Sequence, residues 1–188
     1  MPNKAQLRAL NRFGLGARPG EADSINPRAW LLDQIKPHAA MLQRPDLLPT
    51  QSLLEEMVSF RKQGREGRKA YQARSREVIN QEGLAALGQG VSTNTPFAER
   101  LVRFWSNHFC VSSVGENEIR YLAGAYEREA IRPHVFGKFE DMVIASAQHP
   151  AMLVYLDQAR SVGPNSRIGR RRDQGLNENY ARELMELH

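Results

Sequence analysis

The segment richest in potential chemistry is 177–188, which reads Asn-Glu-Asn-Tyr-Ala-Arg-Glu-Leu-Met-Glu-Leu-His. In a helix, which turns by about 100° per residue, its polar side chains share one face. These side chains belong to Glu178, Asn179, Arg182, Glu183 and Glu186. Such a face could bind a cation or a polar ligand, or supply a general acid and base. A solvated amphipathic helix with a Glu178–Arg182 pair is the simpler explanation.

A second candidate is His108, which ends the run Phe104-Trp105-Ser106-Asn107-His108. Its spacing from Phe97, Leu101 and Phe104 places it on the apolar stripe of a predicted helix. A buried imidazole needs a hydrogen-bond partner, because burying it unpaired costs about 1–3 kcal/mol. We interpret His108 either as a core histidine with such a partner or as an acid–base group held by aromatic side chains.

Two further carboxylates are candidates. Glu127 lies at the edge of the apolar face of its predicted helix and could reach His108 or Arg132, although a surface position is the default. Asp157 follows an apolar segment near a predicted helix C-terminus, where the helix dipole disfavours a carboxylate. A salt bridge or a bound cation would explain Asp157, and a simple loop boundary explains it equally well.

Helical geometry restricts metal binding within the last segment. Glu186 and His188 point about 160° apart on a regular helix, and Glu183 and His188 about 140° apart. A metal site would therefore need ligands from other helices, and a divalent metal of unknown identity is left as a candidate cofactor. Cys110 is the only cysteine, which excludes an internal disulfide. We interpret it as a packing residue, because on a helix it would point away from His108.

The net charge of +5 is concentrated in two segments, 61–76 and 160–172. Clusters of this kind can attract phosphates or anionic surfaces, or they can be solvated helix faces and loops. Weak nucleic-acid or anionic-surface binding is therefore an alternative function. It is disfavoured because no helix-turn-helix, zinc-finger or aromatic RNA-binding pattern accompanies the clusters.

Hydrophobic periodicity is helical throughout, which predicts an all-α, irregular multi-helix domain over residues 1–188. We expect a polar helix at 68–87 to lie outside the core and the Arg- and Gly-rich segment 158–175 to be a mobile loop. The final helix has no C-terminal cap, which suggests an incomplete fragment of a larger helical protein. The predicted core helices are 96–113, 116–132, 139–157 and 177–188.

Targeting signals are not evident in the sequence. No stretch approaches the ~20 apolar residues of a membrane span. The first seven residues lack the apolar core of a signal peptide, which predicts a cytoplasmic protein as written.

Four blocks resemble the bacterial family called domain of unknown function 1800. They are 11–20 (Asn-Arg-Phe-Gly-Leu-Gly-Ala-Arg-Pro-Gly), 104–109, 149–157 and 177–188, and they occur in family order. The resemblance implies a longer protein, and export is an alternative localisation because many relatives are exported. It implies no activity, substrate or cofactor.

The residues together predict a polar site between helices, with His108, Glu127 and Glu183 as catalytic groups. The site would perform hydrolytic or redox chemistry, with or without a metal. Whether the protein is an enzyme stays open. A non-catalytic scaffold that binds a protein partner is the alternative.

Overall fold

A computed structural model describes residues 4–114 and 116–187, and the side chain of residue 187 is left aside. Every regular element in these ranges is helical, which confirms the predicted all-α class. A π-helical turn covers Glu127–Ile131, and short 3₁₀ turns cover Pro37–Ala40, Arg132–His134 and Gln158–Arg160. The eleven α-helices of the described ranges are α1 (Lys4–Phe13), α2 (Glu21–Ser24), α3 (Pro27–Leu32), α4 (Thr50–Lys62), α5 (Gly64–Ser92), α6 (Pro96–His108), α7 (Asn117–Tyr126), α8 (Phe139–Gln148), α9 (Pro150–Tyr155), α10 (Arg167–Arg172) and α11 (Asn179–Leu187).

Helix α7 forms the centre of the core. Its Tyr121, Leu122 and Ala125 side chains are fully buried. The helix packs against α4, α5 and α9, and the π turn that follows it packs against α6 and α8. The helices α6 and α9, which border the candidate site, are therefore fixed relative to α7 and its π turn.

Helix α5 lies against the core, contrary to the prediction of a peripheral helix at 68–87. It is 29 residues long and packs along α7. The prediction was wrong because the contact uses small residues such as Ser75 and Ala85, which give little hydrophobic signal. A Cβ on Gly124 of α7 would lie 2.3 Å from Cγ of Glu82, so the close approach requires glycine there. Neither α5 nor any other helix in the described ranges has the length and apolarity that a membrane span requires.

Helix α6 ends five residues before the predicted limit of 113. Its last backbone bond joins the Phe109 N–H to the Trp105 carbonyl over 2.9 Å. Phe109 then leaves the helical conformation and enters the core, where it is 4% exposed. The helix therefore terminates at His108, and the chain after it follows a different direction.

The predicted helix 139–157 is divided into α8 and α9. Pro150 has no N–H to donate, and the residue before a proline avoids the α region. His149 accordingly has an extended conformation, with φ −72° and ψ 134°. The break changes the direction of the chain, so that α9 and the end of α6 border the same cavity.

The predicted end of the helix that contains Glu127 is confirmed near Pro133, but its last residues form a π turn. The proline ring would clash with the carbonyl four residues earlier in a regular α-helix. In a π turn, residues i and i+5 are neighbours. Glu127 and Arg132 have this separation, and their side chains form a salt bridge of 2.9 Å.

The segment 158–175 contains helix α10, in which Gly169 is buried. A backbone bond of 3.1 Å from the Val162 N–H to the Gly175 carbonyl closes the segment on itself. The mobility expected for it stays a prediction.

Candidate functional site

Helix α6 presents a different face to the core from the one that the sequence predicts. Its buried side chains are those of Ala98, Glu99 and Val102, whereas Phe104 is 57% exposed. The stripe expected through Phe104 and His108 therefore lies at the edge of the core. Hydrophobic periodicity does not identify the buried face of α6, because that face includes the carboxylate of Glu99.

His108 is partly exposed and lies among aromatic rings. Its imidazole is parallel to the Phe104 ring, with centroids 6.1 Å apart and an interplanar angle of 6°. The Trp105 and Phe109 rings meet it edge-on, with centroids 5.6 and 4.9 Å away. These rings hold the imidazole at the mouth of a cleft.

The cleft brings together two of the three predicted catalytic residues. His108 at the end of α6 and Glu183 on α11 both line a volume of about 150 Å³. Met152 of α9 contributes to the lining and is 5% exposed, which makes that part of the cleft apolar. The remaining lining residues are Phe109, Cys110, Tyr155, Leu156, Tyr180 and Leu184.

Cys110 lines the same cleft and is exposed. The interpretation of this residue as a packing cysteine is therefore wrong, because the thiol is exposed at a cavity. The expectation that its side chain points away from His108 rested on a helix that continues to 113, and it stays a prediction. Because α6 ends at His108, the two side chains can border one cavity although they are two residues apart.

Tyr126 fixes the segment that carries Cys110. Its buried hydroxyl donates a hydrogen bond to the Phe109 carbonyl over 2.7 Å, and Ser146 Oγ is hydrogen-bonded to the same hydroxyl over 2.7 Å. Burial raises the pKa of Tyr126, so the phenol remains a donor at neutral pH. This contact was not foreseen from the sequence, because it joins α7 to residues 17 and 20 positions away.

Glu127, the third predicted catalytic residue, is not among the residues that line this cleft. Its Oε1 accepts a hydrogen bond of 2.9 Å from Nε of Arg132, and Ser106 Oγ donates to its Oε2 over 3.4 Å. Of the two partners named for it in the sequence, the structure joins it to Arg132. Its carboxylate is thereby engaged in neutralising a buried guanidinium.

Arg132 and Glu99 form a buried ion pair that sequence reasoning missed. Each side chain is 1% exposed, and Nη1 of Arg132 lies 2.6 Å from Oε1 of Glu99. The same Nη1 donates to the Ala40 carbonyl over 2.8 Å. Burial lowers the pKa of Arg132, but its hydrogen bonds and charge interactions with Glu99 and Glu127 outweigh burial and raise it. Buried charges must be paired in this way, so the network is structural.

The other polar-face candidates of the last helix lie apart from the cleft. Glu178, Arg182 and Glu186 are exposed. Asn179 is partly buried, and its N–H binds Oδ1 of Asn177 over 2.8 Å. On this face only Glu183 borders the cavity, so most of the predicted polar face is solvated.

The carboxylate of Asp157 forms a salt bridge. The backbone adopts the left-handed conformation there, with φ 58°. The carboxylate lies 3.1 Å from Nη1 of Arg160, and both side chains are substantially exposed. This pair agrees with the salt-bridge alternative raised for the residue.

A second polar cluster, in which Thr50 and His149 are buried and Glu129 is exposed, joins α4, the π turn and α9. Glu129 Oε1 accepts a hydrogen bond of 2.8 Å from the Thr50 N–H, and Thr50 Oγ1 lies 2.9 Å from His149 Nε2. His149 Nδ1 accepts from the Ala151 N–H over 3.1 Å, so a neutral ring carries its proton on Nε2. The cluster caps α9 and holds the start of α4.

Metal coordination finds no support in the described residues. No group of three or more His, Cys, Asp and Glu side chains in residues 4–114 and 116–187 is placed to hold a metal ion. His188, which the sequence analysis weighed as a ligand, lies outside the described residues. The donors of the cleft therefore do not fit a metal site, and we derive no step through a metal.

The comparisons with known proteins give a family. The sequence model of the family described as "Protein of unknown function (DUF1800)" matches residues 8–188. No curated protein and no solved structure matches the chain. The match includes the resemblance blocks and every residue of the cleft.

Proposed function

We propose a function for this chain, which belongs to the DUF1800 family: the cleft between α6, α9 and α11 binds a small organic ester or amide and hydrolyses it by acid–base catalysis. The observation that carries the proposal is that His108 and Glu183, from helices distant in sequence, line the same cavity. His108 would act as the general base and Glu183 would orient or stabilise it. Glu127 has no part in this proposal, because its carboxylate pairs with Arg132.

The types of residue in the cleft suit such a reaction. A neutral imidazole can take a proton from water as the water attacks an acyl carbon, and can return it to the leaving group. Tyr155 and Tyr180 supply hydroxyl groups that can bind the substrate. Met152 and Leu156 make part of the cleft apolar, which strengthens polar contacts beside them.

The size of the cleft restricts the substrate. Its volume is about 150 Å³, whereas pockets for drug-sized ligands have about 300–1,000 Å³. The cleft therefore suits a small acyl group, or the reacting end of a longer molecule.

Hydrolysis of p-nitrophenyl acetate tests the proposal. His108→Gln and Glu183→Gln are compared with His38→Gln, an exposed histidine elsewhere, and with Glu186→Gln, an exposed carboxylate on the same helix. We expect His108→Gln to lower kcat/KM by about 100-fold, in the usual range for a general base. The two control variants should hydrolyse the ester at the wild-type rate.

Cys110→Ser separates hydrolysis from simple acylation of the thiol. A thiol that is acylated once gives a single burst of nitrophenolate, whereas catalysis by His108 continues at a steady rate. Steady hydrolysis should persist in Cys110→Ser. Equal rates for His108→Gln and His38→Gln would contradict the proposal.

A partner-binding module is the second candidate, and one observation favours it. Leu84, Leu87 and Val91 lie on one face of α5 and are 69%, 58% and 69% exposed. Their i, i+3, i+7 spacing fits an amphipathic helix of a partner protein. Replacing Leu87 by Lys would abolish association with such a helix and leave ester hydrolysis unchanged.

A further inference from the structure

A second cavity lies between α4, α5 and the N-terminal end of α7. It has a volume of about 370 Å³, which is within the range of small-molecule pockets. It shares no lining residue with the cleft of His108. Its lining consists of Met57, Phe60, Arg61, Gly67, Arg68, Tyr71, Gln72, Asn117 and Glu118.

The hydroxyl of Tyr71 is the unusual group in this cavity. It is buried, and among the described residues it is the one buried side-chain oxygen or nitrogen without a hydrogen-bond partner. Buried polar groups in folded proteins are normally paired, so an unpaired one needs an explanation. Tyr71 lines the cavity, as do Glu118 and Arg61, whose charges both act on its hydroxyl. Because the hydroxyl oxygen is closed to solvent, a ligand in the cavity accepts the missing hydrogen bond when the side chains around it move aside.

The charges around the cavity favour an anion. Arg61 and Arg68 line it, against a single carboxylate, Glu118. Arg61 lies 3.5 Å from Glu118 and is 69% exposed, so that contact uses little of its five-donor guanidinium. Arg74, by contrast, is neutralised by Glu56 and Glu77 and does not line the cavity. The excess of one positive charge matches a monoanion.

Phe60, Tyr71 and Met57 form an aromatic and apolar part of the wall, and Gln72 and Asn117 add polar groups elsewhere in it. The rings of Phe60 and Tyr71 have centroids 5.9 Å apart, and Tyr121 meets Tyr71 edge-on at 5.2 Å. Met57 is 6% exposed and supplies an apolar surface. A flat apolar ring is the ligand body that such a wall accommodates.

We propose that this cavity binds a small aromatic carboxylate. Arg61 and Arg68 pair with the carboxylate, Phe60 and Met57 contact the ring, and the Tyr71 hydroxyl donates a hydrogen bond to a ligand oxygen. Burial and the charges of Glu118 and Tyr121 raise the pKa of Tyr71, against a smaller lowering by Arg61. The phenol is therefore protonated and able to donate at neutral pH.

Benzoate is the probe for this site, measured by its effect on the amide NMR signals of the full chain at low salt. Benzoate should shift signals of residues 57–72, and Arg61→Gln with Arg68→Gln should abolish the shifts. Lys62→Gln is the matched control, since Lys62 lies in the same basic segment and does not line the cavity. Inorganic phosphate at the same concentration should bind more weakly, because it lacks the ring.

Tyr71→Phe keeps the ring and removes only the hydroxyl. It should weaken benzoate binding by about three- to tenfold, the value of one hydrogen bond. The same change removes an unpaired buried group, so the melting temperature without ligand should stay the same or rise. A lower melting temperature with unchanged benzoate binding would overturn the proposal. So would equal binding of phosphate and benzoate, or equal effects of the arginine and Lys62 variants.

Discussion

Two ionisable residues of helix α6, Glu99 and His108, have opposite surroundings. Glu99 is 1% exposed and meets Arg132, whose guanidinium is bound by two carboxylates and a backbone carbonyl. His108, about two and a half turns further along α6, is partly exposed and borders a cavity together with Glu183. Charges that satisfy each other in the core stabilise the fold, whereas groups at a cavity can act on a ligand. Stability and hydrolysis should therefore respond to different substitutions.

The largest effect on stability should follow the loss of Glu99. In Glu99→Ala, Arg132 loses its most buried partner, and breaking a buried pair costs about 3–5 kcal/mol. Chemical denaturation measures the change, with exposed Glu186→Ala as the control. A loss below about 1 kcal/mol would mean that the pair contributes no more than a surface salt bridge.

A smaller loss is expected for Tyr126→Phe. This change removes the bonds to the Phe109 carbonyl and Ser146, and it leaves a buried carbonyl unpaired at a cost of about 1–3 kcal/mol. Because the Phe109 contact holds the neighbouring Cys110, alkylation of that thiol by iodoacetamide should become faster. Unchanged alkylation in a destabilised variant would show that Tyr126 does not position the cleft.

Acid should weaken the junction of Glu129, Thr50 and His149. Burial raises the pKa of Glu129, but hydrogen bonds from His149 and Thr50 outweigh it and hold the pKa below its ordinary value of 4.5. A carboxyl group with a lowered pKa stabilises the fold fully above pH 4.5, and this contribution is lost as the pH falls through the folded-state value. Below pH 4.5, the free energy of unfolding of Glu129→Gln should therefore fall less steeply with pH than that of the wild-type protein. Identical acid titrations of the two proteins would contradict this.

The smallest effect on stability is expected in the cleft itself. His108→Gln and Glu183→Gln remove partly exposed groups that face a cavity, and such changes usually alter stability by less than about 0.5 kcal/mol. Denaturant midpoints should therefore match wild type although hydrolysis is lost. A loss as large as that of Glu99→Ala would assign His108 to the core.

Much of the architecture could be predicted from the sequence. The helical periodicity predicted the all-α class, and the end of the predicted helix 116–132 is confirmed at the π turn before Pro133. The expectation that His108 and Glu183 could meet rested on residue type alone. That both border one cavity depends on the break at His149–Pro150 and on how α11 docks.

The rest depended on tertiary contacts that local patterns do not contain. The sequence named His108 and Arg132 as possible partners of Glu127, and the choice of Arg132 depends on a π turn, in which neighbours are five residues apart. The exposure of Cys110 depends on the end of α6, which the remote Tyr126 hydroxyl helps to fix through Phe109. The burial of Glu99 could not be predicted from its neighbours in the sequence, because its partner Arg132 lies 33 residues away.

A double-mutant cycle on the hydrolysis of p-nitrophenyl acetate tests the cleft most directly. Residues that act as one catalytic unit have non-additive effects on rate. The double variant His108→Gln/Glu183→Gln should therefore hydrolyse the ester no more slowly than His108→Gln alone. Losses that multiply, or a wild-type rate in His108→Gln, would contradict the joint action of these two residues.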